Sequence, residues 1–280
     1  MCIHPWNINA IIIIHYFYMK LLTSLLLILL FSCPAFSTTY TGGVTKVGQQ
    51  DSNQIVDSNS KQPVEFAKIS IPQKKFFTYS DANGNFELPQ IKISQPLIVN
   101  IEKEGYRPFS ITINNNSGLQ SPMKIEIAKS EAFDIALDTE ILHLGDNSFS
   151  NNSANASDFR TKSIGPSYSK DFIMTQNAKK STNYLVIGSI VGIDTMLAKK
   201  MGQNKIKSQA YSTPTEIYFN GNKIGEIKIN GDGQRIKIPS NLIKADAKNQ
   251  ITIRTGENVM PVGHIDYDDI EIMNISILTE

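Results

Sequence analysis

The sequence predicts an all-β chain: two antiparallel β-sandwich domains after an N-terminal signal segment. Two observations carry this. From Thr38 onward apolar and polar residues alternate with the period of two that half-buried strands require, and turn-forming Asn-Gly, Asp-Gly, Gly and Pro punctuate these runs roughly every ten residues. Helical periodicity is nearly absent; the one helical signal is short, Asp194 to Met201.

The first 37 residues stand apart in composition. The chain has 280 residues, 27 Lys plus Arg and 26 Asp plus Glu, 41% hydrophobic and 19% charged. Lys20 is the one charge before Thr38, so the remainder carries 26 of each sign. A body at net zero has no field to steer nucleic acid or an anionic membrane toward it, which excludes a nucleic-acid partner. Cys2, Cys33 and Trp6 also fall in this first stretch. Residues 19 to 37, MKLLTSLLLILLFSCPAFS, have a positive start, an apolar run and a small-residue end, the layout of a secretory signal. The uncharged residues before Met19 suggest that translation begins there. A transmembrane anchor over residues 10 to 36 is the alternative, and it must hold His15 and Lys20. Cleavage after Ser37 and lipidation of Cys33 are both open. Either way the chain is expected in an exported compartment, periplasmic or extracellular, without disulfides.

Residues 38 to 130 form the first expected domain. Leu97, Val99 and Ile101 alternate with Ile98, Asn100 and Glu102, and Phe109, Ile111 and Ile113 with Ser110 and Thr112. Asp81 to Asn85 reads as a tight turn, with Asp81 accepting a backbone N–H and Gly84 supplying a positive φ. It predicts a hairpin joining Phe77 and Tyr79 to Phe86 and Leu88. The Asp81, Asn83, Asn85 spacing lacks the Gly and the terminal Glu of a calcium loop, so the plain turn is preferred. Gly43-Val44, Pro63-Val64, Ala67, Thr78, the run Asp81 to Phe86 and Gly105-Tyr106 occur in an order that resembles the carboxypeptidase regulatory-like domain. The resemblance covers Tyr40 to Ala128; it implies a seven-stranded transthyretin-like sandwich acting as scaffold or spacer, with no chemistry of its own.

Residues 131 to 280 form the second, with the boundary between Ala128 and Leu142. Ile217 and Phe219, Ile227 and Ile229, Ile236 and Ile238, and Ile251 and Ile253 keep the period of two. Asn220-Gly221 and Gly231-Asp232-Gly233 are hairpin signals. The run Phe219-Asn220-Gly221 with Ile224-Gly225, Ile238-Pro239 with Leu242 before Asn249, and an Ile-rich last strand preceded by acids resemble a galactose-binding-like jelly roll of the carbohydrate-binding-module type. The pairing of the two domain types also resembles the non-catalytic part of rhamnogalacturonan lyases.

The acidic run Asp266, Asp268, Asp269, Glu271 is the most site-like feature. In an extended strand Asp269 and Glu271 share one face and repel unless a cation or Lys neutralises them. The jelly-roll resemblance implies a structural calcium joining the start of the domain to its last strand, with Asp146, Asp269 and Glu271 as ligands. A solvated strand edge guarded by charge is the alternative. For a sugar, an aromatic face and planar polar groups are needed; Tyr267 is the preferred platform over Tyr168, Tyr184 and Tyr211, with Asp266, Arg254 and Asn258 supplying hydrogen bonds. His143 and His264 form no metal-ligand pair, and the serine-hydrolase and phosphate-loop motifs are absent from the sequence. The expected function is a non-catalytic, exported carbohydrate-binding protein whose partner is a polysaccharide or glycoconjugate. The alternatives are a structural or adhesive envelope protein binding another protein, and a polysaccharide-active enzyme using the 266–271 carboxylates.

Overall fold

A computed structural model describes residues 42–45, 52–114, 122–150, 152–154, 159, 161–203 and 210–280. The expected signal segment and Cys33 lie outside them. The described chain is all-β, with strands in four sheets.

The first eight strands are β1 (Gly42–Thr45), β2 (Asn53–Asp57), β3 (Lys68–Ile71), β4 (Phe76–Tyr79), β5 (Asn85–Phe86), β6 (Leu97–Glu102), β7 (Phe109–Ile113) and β8 (Lys124–Ile127). They make two sheets, β1-β8-β2-β5 and β4-β3-β6-β7, antiparallel except for β2 on β8. Ile55, Phe86, Ile125 and Ile127 from one meet Ile69, Ile71, Val99, Ile101 and Phe109 from the other in a single apolar core. Tyr106 packs against it, and its hydroxyl reaches Asp57.

The Asp81 turn forms with the chemistry its sequence predicts: Asp81 Oδ1 accepts from the N–H groups of Asn83 and Asn85 at 2.9 and 2.8 Å, and Gly84 has φ +73°. It does not make a hairpin. β4 pairs with β3 while β5 pairs with β2, so the turn carries the chain from one sheet to the other. The cause is close approach: Ile55 N–H donates to the Gly84 carbonyl, and a Cβ at Gly84 would lie 2.3 Å from the Ile55 oxygen. Phe77 and Tyr79 therefore face outward.

The later strands are β9 (Ile135–Asp138), β10 (Leu142–Leu144), β11 (Ser167–Met174), β12 (Asn183–Val191), β13 (Thr215–Phe219), β14 (Asn222–Ile227), β15 (Gly231–Ile238), β16 (Ala247–Arg254) and β17 (Ile270–Thr279). One sheet runs β10-β17-β12-β15 with β9 also on β17; the other runs β11-β16-β13-β14. Asn220 and Gly221, both at positive φ, close the β13–β14 hairpin. The Gly231 cluster does not close another, because β15 leaves β14 to pair with β12 across the sandwich. Two short helices, α1 (Gln176–Lys180) and α2 (Met196–Lys200), are each capped by a threonine hydroxyl, Thr175 and Thr195. α2 is the helix the sequence predicts; α1 is additional.

β17 is buried along its whole length. Ile270 and Ile272 enter the core between the two later sheets, and so do Ile275 and Ile277. The parity changes at Asn274, which sits at φ +59° beside a register shift between Ile275 and Ser276. Such a bulge inserts one residue and turns every later side chain to the other face.

The opposite face of β17 meets the first strand set. Met273 joins Ile98, Val191 and Phe159 in a small apolar cluster, and the Asn274 amide donates to Asn100 Oδ1 at 2.8 Å. Asn274 is thus a buried structural amide. Asp232 accepts from the Thr112 N–H and hydroxyl and from the Ser189 hydroxyl, whose oxygen lies 2.9 Å from Ser110 Oγ. Arg107 and Asp134 pair at 2.6 Å. The backbones come close at Gly188, where a Cβ would lie 2.6 Å from Ser110 Oγ and 2.7 Å from Asn274 Cβ. Gly188→Ala is expected to overpack this seam and lower stability by about 1–3 kcal/mol, read by urea unfolding.

Candidate functional site

The acidic run lies where the 256–271 segment leaves β16 and enters β17. Backbone bonds fix this segment: Thr213 N–H donates to Glu257, Asn258 to Asp266, Val259 to Tyr211 and Asp268 to Gly256. Because the chain is extended, successive carboxylates point to different neighbours, and each is held by a different set of donors.

Asp266, 2% exposed, accepts from the Ser153 hydroxyl at 2.6 Å, the Ala154 N–H at 3.0 Å and the Asn258 amide at 2.9 Å. The Asn258 amide also donates to the Asn152 carbonyl. Asp146 accepts from the N–H groups of Ser148 and Tyr267, both at 2.9 Å. These bonds staple the 145–154 loop to the 256–268 segment. Arg254 is engaged elsewhere, in an ion pair of 2.7 Å with Glu216 on β13. Glu216 is held at about 2 by its hydrogen bonds to Lys223 and Tyr218, with Arg254 adding to them against burial.

Asp268 is fully buried and accepts from the Asp194 N–H at 3.0 Å and the Ser212 hydroxyl at 2.7 Å. Burial pushes its carboxyl well above the usual range, and the nearby Asp194 and Asp269 add to that. Asp194, also buried, is raised to about 7 by desolvation, against the pull of Lys199.

Asp269 and Glu271 are arranged about His143, the cross-strand partner of Glu271 on β10. His143 Nε2 lies 2.8 Å from Asp269 Oδ1, and Nδ1 faces the Thr161 carbonyl. A carbonyl can only accept, so Nδ1 carries a proton; a carboxylate at Nε2 favours the second. Burial opposes charge on this ring, but the Asp269 bond, the Thr161 carbonyl and the charges of Asp269 and Glu271 outweigh it and raise its pKa. The charged form of the ring is thereby favoured beside these carboxylates. Asp269 also accepts from the Asn147 N–H at 2.9 Å. Glu271, 1% exposed, is raised by burial, against the opposing effects of Gln73 and His143.

Of the residues expected to hold calcium, Asp269 and Glu271 flank one histidine, whereas the Asp146 carboxylate bonds the backbone at Ser148 and Tyr267. Among the described residues no group of three or more His, Cys, Asp or Glu side chains is arranged to hold a metal ion. Of those expected to hold a sugar, Asp266 and Asn258 bond each other, Tyr267 is half-buried against Glu257, and Arg254 pairs with Glu216.

Glu271 also opens the feature that the sequence did not reveal, a cavity of about 560 Å³ in the seam. Gln73, Lys75 and Gln95 line one side, and Phe159, Thr161 and Glu271 the other. Gln73 bridges the two: its amide donates to Glu271 Oε2 at 3.0 Å, while its oxygen accepts from the Ile98 N–H.

Residues 52–134 match the family model of the CarboxypepD_reg-like domain. That regulatory-like domain supplies Gln73, Lys75 and Gln95; Phe159, Thr161 and Glu271 lie outside the matched span. No curated protein gives a significant match to the chain.

Two outcomes follow for stability. His143→Ala leaves buried carboxylates without their histidine partner and is expected to cost about 3 kcal/mol or more by denaturant unfolding. His143, Asp194, Asp268 and Glu271 all hold protons more tightly folded than unfolded. The folded state then binds more protons, so each contribution is full below the unfolded value and is lost as pH rises through the folded one. For Asp194 the loss runs from its ordinary 3.8 to about 7. Unfolding measured across that window should show falling stability, and Asp194→Asn should flatten the fall.

Proposed function

We propose that the protein is a non-catalytic, exported carbohydrate-binding protein, and that the seam cavity takes part of a polysaccharide or glycoconjugate. The export reading rests on the signal-like run Met19 to Ser37, and the jelly-roll reading of residues 131 to 280 on the strand and turn pattern in the sequence. The observation that carries the binding reading is the cavity itself, whose lining brings amide, hydroxyl and charged groups beside the largely buried Phe159 side chain. A pyranose presents an apolar C–H face to an aromatic ring and its hydroxyls to planar donors and acceptors; Gln73, Gln95 and Glu271 provide these. Glycoside cleavage takes a pair of carboxylates flanking the bond. Among the described residues lining the cavity, Glu271 is the one carboxylate.

A second reading, an adhesive envelope protein docking another protein, is favoured by the edge strand β4. Phe77 and Tyr79 there are 60% and 53% exposed, with rings edge-to-face at 6.0 Å. Exposed edge strands accept partner strands.

Affinity-gel retardation of the full chain over plant, algal and bacterial polysaccharides tests the proposal. Binding to at least one glycan is expected, weakened about ten-fold by Gln95→Ala, an exposed lining residue whose loss removes one ligand hydrogen bond. Silence across all of them, with a stoichiometric protein partner in its place, would overturn it in favour of the second reading.

A further inference from the structure

The seam cavity carries positive charge in excess. Its formally charged lining side chains are Lys74, Lys75 and Glu271. The wall from the first strand set comes from residues 72–75 and 94–97, and these eight hold two lysines and no Asp or Glu. Both lysines are exposed, and neither is in an ion pair among the described residues.

Their backbone is fixed. Lys74 closes a single 3-10 turn, Pro72–Lys74, and Lys75 follows it at φ +52° with its N–H donating to the Pro72 carbonyl at 3.0 Å. On either side Ile71 and Phe76 are cross-strand partners, so the pairing of β3 with β4 holds both ends of the turn. Glycine or asparagine takes a left-handed position at lower cost. A lysine there is a strained residue kept in the lining of a cavity, the setting in which such strain accompanies function.

The one negative group is engaged within the opposite wall. Glu271, 1% exposed, accepts from the Gln73 amide at 3.0 Å and has His143 as its cross-strand partner, and burial raises its pKa toward the neutral form. Gln73 is engaged at both ends of its amide, since its oxygen accepts from the Ile98 N–H. The lining side chains that reach solvent without a partner among the described residues include the two ammonium groups and the Gln95 amide. Cations and an amide gain more from an anionic acceptor than from neutral hydroxyls, because charge-assisted hydrogen bonds are about twice as strong.

We propose that the cavity selects an acidic saccharide, a pyranose bearing a carboxylate or sulfate ester whose anionic group meets the Lys74 and Lys75 ammonium groups and the Gln95 amide. This rests on the carbohydrate reading and narrows it to one class of glycan. The balanced charge beyond residue 37 gives no long-range pull on polyanions. The preference is therefore made at short range, and salt weakens it.

Affinity-gel retardation of the full chain tests it against polygalacturonate, the galactan obtained from it by carboxyl reduction, and a sulfated galactan. Retardation by at least one anionic polymer is expected, about ten-fold tighter than by the reduced one; which anionic polymer acts distinguishes carboxylate from sulfate. Lys74→Gln combined with Lys75→Gln should weaken it about ten-fold, while Lys74→Arg combined with Lys75→Arg keeps both charges and should retain it. Urea unfolding checks each variant; if the first double variant does not fold, Lys74→Gln alone, at an unstrained position, should weaken binding about three-fold. Equal retardation by the carboxyl-reduced polymer overturns the proposal and leaves the carbohydrate reading standing, as does a folded glutamine variant that binds like the parent. Silence with these three while another neutral glycan retards the parent has the same meaning. Silence with every glycan overturns both.

Discussion

Burial of β17 on both faces is the constraint on which the rest of the structure depends. One face completes the core between the two later sheets, and the other receives Ile98, Asn100 and Gln73 from the first strand set. A strand with two buried faces cannot keep a simple alternation if its two neighbours demand apolar residues at different registers. The left-handed residue at Asn274 resolves the conflict by changing parity midway. Its amide then meets Asn100 in place of water, so the irregular residue is also a hydrogen-bonded one. Glu271, Met273 and Asn274 are in consequence fixed against the partner face.

The same burial explains why so many acids collect without a metal-like arrangement. Carboxylates removed from water need donors or a counter-charge. Asp146 and Asp266 obtain backbone N–H and hydroxyl donors from loops, and Asp269 shares a histidine with Glu271. Where burial outweighs them, as at Asp268 and Asp194, the proton is retained to higher pH instead. The run is thus a set of loop anchors at one end of the sandwich, and the cavity beside Glu271 is open because Gln73, not a bulky apolar residue, spans the gap.

Much of the fold was legible in the sequence because strand alternation is local. Leu97 to Glu102, Ile217 to Phe219 and Ile251 to Ile253 announce their strands, and Asp81 and Asn220 announce their turns. What the turns connect was not legible. Asp81 to Asn85 and Gly231 to Gly233 read as hairpins, yet each passes the chain between sheets, because the pairing of β5 with β2 and of β15 with β12 is decided by distant strands. At the site, the acidic run marked the right place but not its partners. Gln73 stands 198 residues from Glu271 in sequence and sits in a short turn with no distinguishing pattern. The one local hint to His143 was a polar residue between Leu142 and Leu144, and a single interruption in a short strand does not say what it faces.

The order of the strands along the chain bears on how the molecule assembles. β17 follows every other described strand, yet it is central to one sheet and forms one wall of the seam. A nascent chain lacking only these last residues has β12 without its inner neighbour and leaves both β9 and β10 unpaired. Closure of the two cores against each other therefore needs β17 in place. Until it occurs, the growing polypeptide presents sticky sheet edges of the kind that holdase chaperones shield.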